Sequence, residues 1–289
     1  MPKKKFALVC CSNGLPMQAQ HQIYDLSEYL QEMGIEPVLS PHLYATDFVE
    51  AGTAYQRAEI LMKYYQDPEI TDICDVSGGD IANEILPYLD YKTIATSDKM
   101  FWGYSDLTTI INAIYAKTGK ASVLYQVRNL VRDDRGNQRR NFMDHLQKQD
   151  FGSAGLFDFD YQWIQGTPRQ GQALQGIVVG GNIRCLLKLA GTPYWPDMTD
   201  KILLVEARSG GVAQMTTYLS QLQQMGVFGQ ICGILLGTFT QMEREQAQPE
   251  ITELVRSFAG DWMPVAKTAR IGHGADSKAI VLGKEIILK

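Results

Sequence analysis

The chain has 289 residues, of which 45% are hydrophobic and 20% charged, and it carries a net charge of −5. This composition describes a globular protein with material for roughly two cores, and its acidic balance lacks the basic footprint that a nucleic-acid partner imposes. The first apolar run, residues 6–11, is too short for a signal peptide or a membrane span, so cytoplasmic residence and no membrane partner are expected.

Taken in chain order, "KFALVCC" predicts a first strand, and residues 18–33 place Ile23, Leu26, Leu30 and Met33 on one helical face. "IEPVLSP" predicts a second strand, "YQRAEILMKYYQD" a helix, and "ITDICDV" a third strand. "DIANEILPYL" predicts a helix and "KMFWG" a fourth strand; a further helix follows at residues 107–117, with Leu107, Ile110, Ile111 and Ile114 on one face. This β-α rhythm with near-continuous apolar strands predicts a parallel sheet covered by helices on both faces. Such sheets bind ligands beyond the carboxyl ends of their strands, where Ser77-Gly78-Gly79 and Gly103-Tyr104-Ser105-Asp106 fall.

From about residue 129 to 172 the periodicity fades. The basic cluster at 128–140, broken by Asp133, Asp134 and Gly136, is expected to be a polar surface loop. A connection at 161–173 would then divide an N-terminal α/β domain (1–160) from a smaller C-terminal α/β domain (174–289) richer in β structure. In the second unit "LQGIVVGGN", "KILLVEARSGG" and "ICGILLGTF" predict strands and turns; "IRCLLKLAG", "VAQMTTYLSQLQQMG" and "PEITELVRSFAG" predict helices. Short strands and turns close the chain.

The five cysteines are odd in number and sit in apolar runs without metal-ligand spacing, which favours buried reduced thiols and no metal. Glycine pairs 78–79 and 180–181 complete neither dinucleotide nor P-loop motif, so no nucleotide cofactor is expected. Ser105 has two readings. It caps a helix, as serine commonly does, or it is a nucleophile on a sharp strand-to-helix turn. A nucleophile needs a base, and there are four histidines. His21 falls in a helix pattern and His145 in the polar middle; His42 follows a strand, and His273 stands between glycines in "RIGHGADSK". A carboxylate must orient the base; Glu206, ending "KILLVE", and Asp75, ending "ITDICD", both qualify.

The motifs "EMGIEPVLSPH", "SGGDIANEILPYLDY", "FWGYSDLT", "NAIYAKTG", "VVGGNIRCLLKLAGTPYWPD", "KILLVEA", "YLSQLQQMGVFGQICGILLGTF" and "IGHG" come in an order that resembles the LD-carboxypeptidases over nearly the whole chain. These muramoyl-tetrapeptide carboxypeptidases are serine peptidases that include the microcin-C immunity hydrolases. The resemblance implies Ser105 as nucleophile, His273 as base and Glu206 as its acidic partner. It further implies an oxyanion site at the backbone N–H groups of Gly79 and Asp106, and substrate contacts at Gly78 and Asn182. The implied activity is release of the terminal D-amino acid of a murein tetrapeptide, without cofactor, in a homodimer whose cleft lies between the domains. The same chemistry on a peptidyl- or aminoacyl-nucleotide toxin, or a non-catalytic ligand-binding role, are the alternatives. Two segments depart from the family pattern: "DVSGGDIAN" replaces an R-G-G-Y type run, and "VLYQVRNLV" lacks a glycine-proline element.

Overall fold

The computed structural model describes residues 4–46, 48–133, 135–148, 155–166 and 173–289. The first half runs β1 (Lys4–Val9), α1 (Gln20–Glu32), β2 (Ile35–Leu39), α2 (Ala54–Gln66) and β3 (Asp72–Asp75). It continues through α3 (Tyr91–Thr96), β4 (Met100–Gly103), α4 (Thr108–Thr118) and β5 (Ser122–Leu124). Two helices, α5 (Asn129–Arg132) and α6 (Asn137–Lys148), precede β6 (Gln162–Gln165). The second half runs β7 (Leu174–Asn182), α7 (Ile183–Leu187), β8 (Lys201–Ala207), α8 (Val212–Gln224) and β9 (Gly233–Phe239). Then come α9 (Thr240–Arg244), α10 (Ile251–Ala259), β10 (Val265–Lys267), β11 (Ile280–Leu282) and β12 (Glu285–Leu288).

Two six-stranded sheets result, in the orders β11-β5-β4-β3-β1-β2 and β12-β7-β8-β9-β10-β6. Within the first, only β11 is antiparallel to its neighbour; within the second, the edge strands β6 and β12 are. The expected α/β architecture, with parallel strands and covering helices, is the one observed. The apolar strands do not alternate because both faces are covered. On β1, Phe6 and Leu8 enter one core while Ala7 and Val9 enter the other. That second core continues through Ile110 and Ile114 of α4 to Leu204 and Leu235, so one apolar cluster joins the two sheets. Polar contacts fix the same junction: Asn112 on α4 donates to the Gly180 carbonyl (2.8 Å) and accepts from the Gly180 amide (2.9 Å).

Three local readings differ. "DIANEILPYL" forms a 3₁₀ helix at Ala82–Tyr88 with Pro87 inside it, because proline lacks the N–H that α-helical pairing needs. The basic cluster at 128–140 is no loop: it contributes to α5 and α6. Gln138, Phe142 and His145 bury one stripe of α6, Gln138 accepts from the Tyr125 hydroxyl at 2.9 Å, and the Arg139 guanidinium lies 4.4 Å from the Tyr29 ring centroid. One aromatic anchor among charged residues is a faint periodic signal. Between the two units, the expected connection includes β6, paired with β10; residues 167–172 of it lie outside the described residues. Farther on, β11 returns from the C-terminal half to pair with β5 of the first sheet.

Candidate active site

Ser105 stands just beyond β4, after an extended Tyr104, with φ of +56°. A non-glycine residue in that region is strained by roughly 1–3 kcal/mol and marks a position whose direction is imposed by its surroundings. The turn is held from below by the next residue. The fully buried Asp106 carboxylate accepts from Ser12 Oγ (2.6 Å) and the Ala82 amide (2.8 Å), and pairs with Lys188 of the second unit. A buried carboxylate that loses its cation is costly. Lys188→Met is therefore expected to lower unfolding free energy by about 3 kcal/mol, read from urea denaturation. A loss below about 1 kcal/mol would show that the amide and hydroxyl donors suffice for Asp106.

Of the other two residues, Glu206 comes from the second sheet and His273 from the loop between β10 and β11. Pairing of β8 with β9 shifts register between Val205 and Ala207, and such an irregularity re-aims the residue within it. That residue is Glu206, only 1% exposed. Gly237 on β9 lies beside it; a Cβ there would overlap the Ile271 carbonyl oxygen, so glycine lets the loop carrying His273 settle onto the strand. His273 Nδ1 lies 2.7 Å from Glu206 Oε2, and His273 Nε2 lies 3.1 Å from Ser105 Oγ. With Nδ1–H donating to the carboxylate, Nε2 is left to accept from the serine hydroxyl. Glu206 Oε1 is buried without a hydrogen-bond partner, so the carboxylate is poorly solvated beside the imidazole. Tyr104 steadies the ring: its centroid is 4.5 Å from that of His273, and its hydroxyl donates to the Gly272 carbonyl at 3.0 Å.

The rival residues lie elsewhere. The Asp75 carboxylate is fully buried and accepts from the Cys11 amide (2.7 Å), the Ser77 amide (2.7 Å) and Ser77 Oγ (2.5 Å); burial holds its pKa above the usual carboxylate range despite those donors. It shapes the Ser77-Gly78-Gly79 turn and does not touch His273. His21 is exposed on α1, and His145 packs against Phe157 at 4.9 Å between ring centroids. His42 belongs to the turn after β2, where its amide donates to Ser40 Oγ at 3.0 Å. Burial raises the Cys10 thiol to about 12, which leaves it protonated and a poor nucleophile.

Gly78 and Gly79 line a cleft of about 330 Å³ together with Ser105 and His273. Gly79 has φ of +134°, and a Cβ there would collide with the Asn13 side chain. Only glycine fits that combination of close approach and left-handed backbone. Asn182 is displaced from this lining: it is buried at the end of β7, where its Oδ1 caps α7 by accepting from the Cys185 amide at 3.3 Å. Sequence reasoning missed Tyr104, whose place beside Ser105 was the available signal, and Lys188, for which sequence offers none. Among the described residues, no three His, Cys, Asp or Glu side chains are grouped to hold a metal ion, and no helix is long and apolar enough to cross a membrane.

A serine, a histidine and a glutamate thus meet at the junction of two sheets. Residues 6–125 match the family model of the LD-carboxypeptidase N-terminal domain, and residues 175–288 that of the LD-carboxypeptidase C-terminal domain. The murein tetrapeptide carboxypeptidase of Pseudomonas aeruginosa is 26% identical over 266 residues, covering 90% of this chain and 86% of its own. The microcin C7 self-immunity protein MccF of Escherichia coli is 26% identical over 243 residues, 76% of this chain and 71% of its own. Among solved structures, wild-type apo MccF superposes with a TM-score of 0.84 at 22% identity, covering 99% of this chain and 93% of its own. A muramoyltetrapeptide carboxypeptidase from Oxalobacter formigenes does so with a TM-score of 0.80 at 20% identity, over 99% and 95%. At those identities the superpositions speak for the fold.

Proposed function

The chain belongs to the LD-carboxypeptidase family of peptidases, and from that premise we propose that it is a serine-type enzyme releasing the terminal D-amino acid of a murein tetrapeptide. The observation that carries this reading is the Ser105–His273–Glu206 chain of contacts, at 3.1 Å and 2.7 Å, within reach for proton transfer. Ser105 Oγ attacks the carbonyl of the last peptide bond as His273 Nε2 takes its proton. Glu206 keeps the imidazole oriented and stabilises its charged form. The N–H groups of Gly79 and Asp106 face the oxyanion of the tetrahedral intermediate. His273 then protonates the leaving amine, which departs as a free D-amino acid. Water, deprotonated by the same nitrogen, cleaves the acyl-enzyme and restores Ser105.

Release of D-alanine from a synthetic tetrapeptide tests the reading directly; a folded protein that leaves the peptide intact refutes it. A second reading keeps the chemistry and changes the substrate to an aminoacyl- or peptidyl-nucleotide. The likeness to the MccF self-immunity protein, at 26% identity, favours it. Cleavage of an aminoacyl sulfamoyl nucleoside in place of the tetrapeptide would decide for it.

The route needs no metal, since both ring nitrogens of His273 are engaged by Ser105 and Glu206. EDTA treatment is accordingly expected to leave D-alanine release unchanged. Loss of activity restored by added zinc would overturn the serine mechanism.

A further inference from the structure

The chain's net charge is −5, yet its cleft is lined by three arginines, Arg128, Arg132 and Arg208, and by no carboxylate. Arg128 and Arg132 come from the segment after β5; Arg208 follows β8, two residues beyond Glu206. Among the described residues none of the three takes part in a salt bridge. Arg128 is the most enclosed, and its Nε is buried with no hydrogen-bond partner. Burial, then the neighbouring Arg132 charge, pulls its pKa below the ordinary arginine value, although a guanidinium remains charged at any working pH.

The loop that carries Arg128 is anchored on both sides of the reaction centre. Gln126 accepts from the Arg128 amide at 3.2 Å and donates to the Ser77 carbonyl at 3.1 Å, tying Arg128 to the glycine turn. Asn129 donates to the Gly274 carbonyl at 3.4 Å, tying it to the histidine loop. An enclosed cation with an unused donor raises the energy of the empty cleft, and an arriving anion relieves it. A guanidinium is suited to a carboxylate or phosphate because its paired N–H groups match two oxygens at once. In a peptide cut at its last bond, the terminal carboxylate sits one residue, about 3.8 Å of chain, from the carbonyl under attack. Its receptor must therefore share the cleft with the nucleophile.

We propose that Arg128, backed by Arg132 and Arg208, is the anion receptor of this cleft and restricts substrates to those with a free carboxylate or a phosphate beside the scissile carbonyl. This rests on the assignment of Ser105 as nucleophile. Two of the three arginines come from "YQVRNLVR", the second segment in which the chain departs from the family pattern.

The test compares a tetrapeptide ending in D-alanine as free acid, the same peptide as C-terminal amide, and adenosine monophosphate as phosphate probe. Wild type should prefer the acid over the amide, and Arg128→Gln should lower kcat/KM for the acid about 30-fold or more, chiefly through KM. The acid-to-amide preference should shrink to a few-fold, and Arg128→Lys should recover part of it, since lysine keeps the charge without the fork. Calorimetry on the Ser105→Ala protein, with and without Arg128→Gln, separates the sources. Weakened peptide binding identifies a carboxylate receptor; weakened adenosine monophosphate binding identifies a phosphate receptor. If neither ligand responds to Arg128→Gln in protein with an unchanged urea midpoint, the proposal falls. If Arg128→Gln fails to fold, Arg128→Lys decides alone, an unchanged acid preference counting against the receptor. If wild type cuts no tetrapeptide while Arg128 still governs binding, the peptidase reading fails and the anion receptor stands.

Discussion

Ser105→Ala is expected to remove essentially all D-alanine release while leaving the circular dichroism spectrum and urea midpoint close to wild type. Loss of a triad serine costs roughly a millionfold in turnover in the best-studied analogue. Ser105 Oγ contacts His273 Nε2 and supports no other element, so little of the fold depends on it. A φ of +56° is unfavourable for serine and alanine alike, so little change in backbone strain is expected. A folded Ser105→Ala protein that keeps more than about a tenth of wild-type activity would refute the nucleophile, since tenfold is only ~1.4 kcal/mol of transition-state stabilisation.

Glu206→Gln and Asp75→Asn should separate two buried acids that look alike in sequence. Glutamine at 206 keeps the shape but can present its amide to His273 Nδ1, favouring the tautomer with its proton on the nitrogen that must accept from Ser105. The comparable change in a serine protease costs roughly 10⁴-fold in turnover, and a fall of that order is expected here. Asp75→Asn should act on stability instead. Its two oxygens accept from Cys11 N, Ser77 N and Ser77 Oγ, and an amide in place of one oxygen opposes a donor with a donor. A loss of about 1–3 kcal/mol in unfolding free energy is expected, with turnover of the folded fraction down by much less than for Glu206→Gln. Equal losses of kcat in both variants would remove the distinction drawn between them.

How far the sequence was legible depended on the range over which each feature is encoded. Strands buried on both faces announce themselves where the apolar run is near-continuous, as in "KFALVCC". The turn at Gly103-Tyr104-Ser105-Asp106 was legible as a strand end followed by a helix; the left-handed backbone of Ser105 was not, since nothing in its own chemistry asks for it. The α6 helix escaped because Phe142 is its one fully buried apolar residue, set among arginines and glutamines. Glu206 against Asp75 could be argued only from which sheet each would join, and the register shift at β8 that turns Glu206 toward His273 leaves no local mark. The Lys188 contact with Asp106 spans 82 positions, and the return of β11 to the first sheet is longer still; pairings at that separation depend on the whole topology.

That return of β11 ties the site to both sheets. Upstream of His273, β10 belongs to the second sheet; downstream, β11 is stitched to β5 of the first. The histidine therefore hangs from both sheets like the crosspiece of a bridge. On the ribosome, Ser105 is synthesised well before residues 280–282 exist. A nascent chain that ends before residue 273 carries Ser105 and Glu206 without the imidazole that stands between them. The three contacting side chains are thus complete only in a chain long enough to carry both anchorages of the histidine loop.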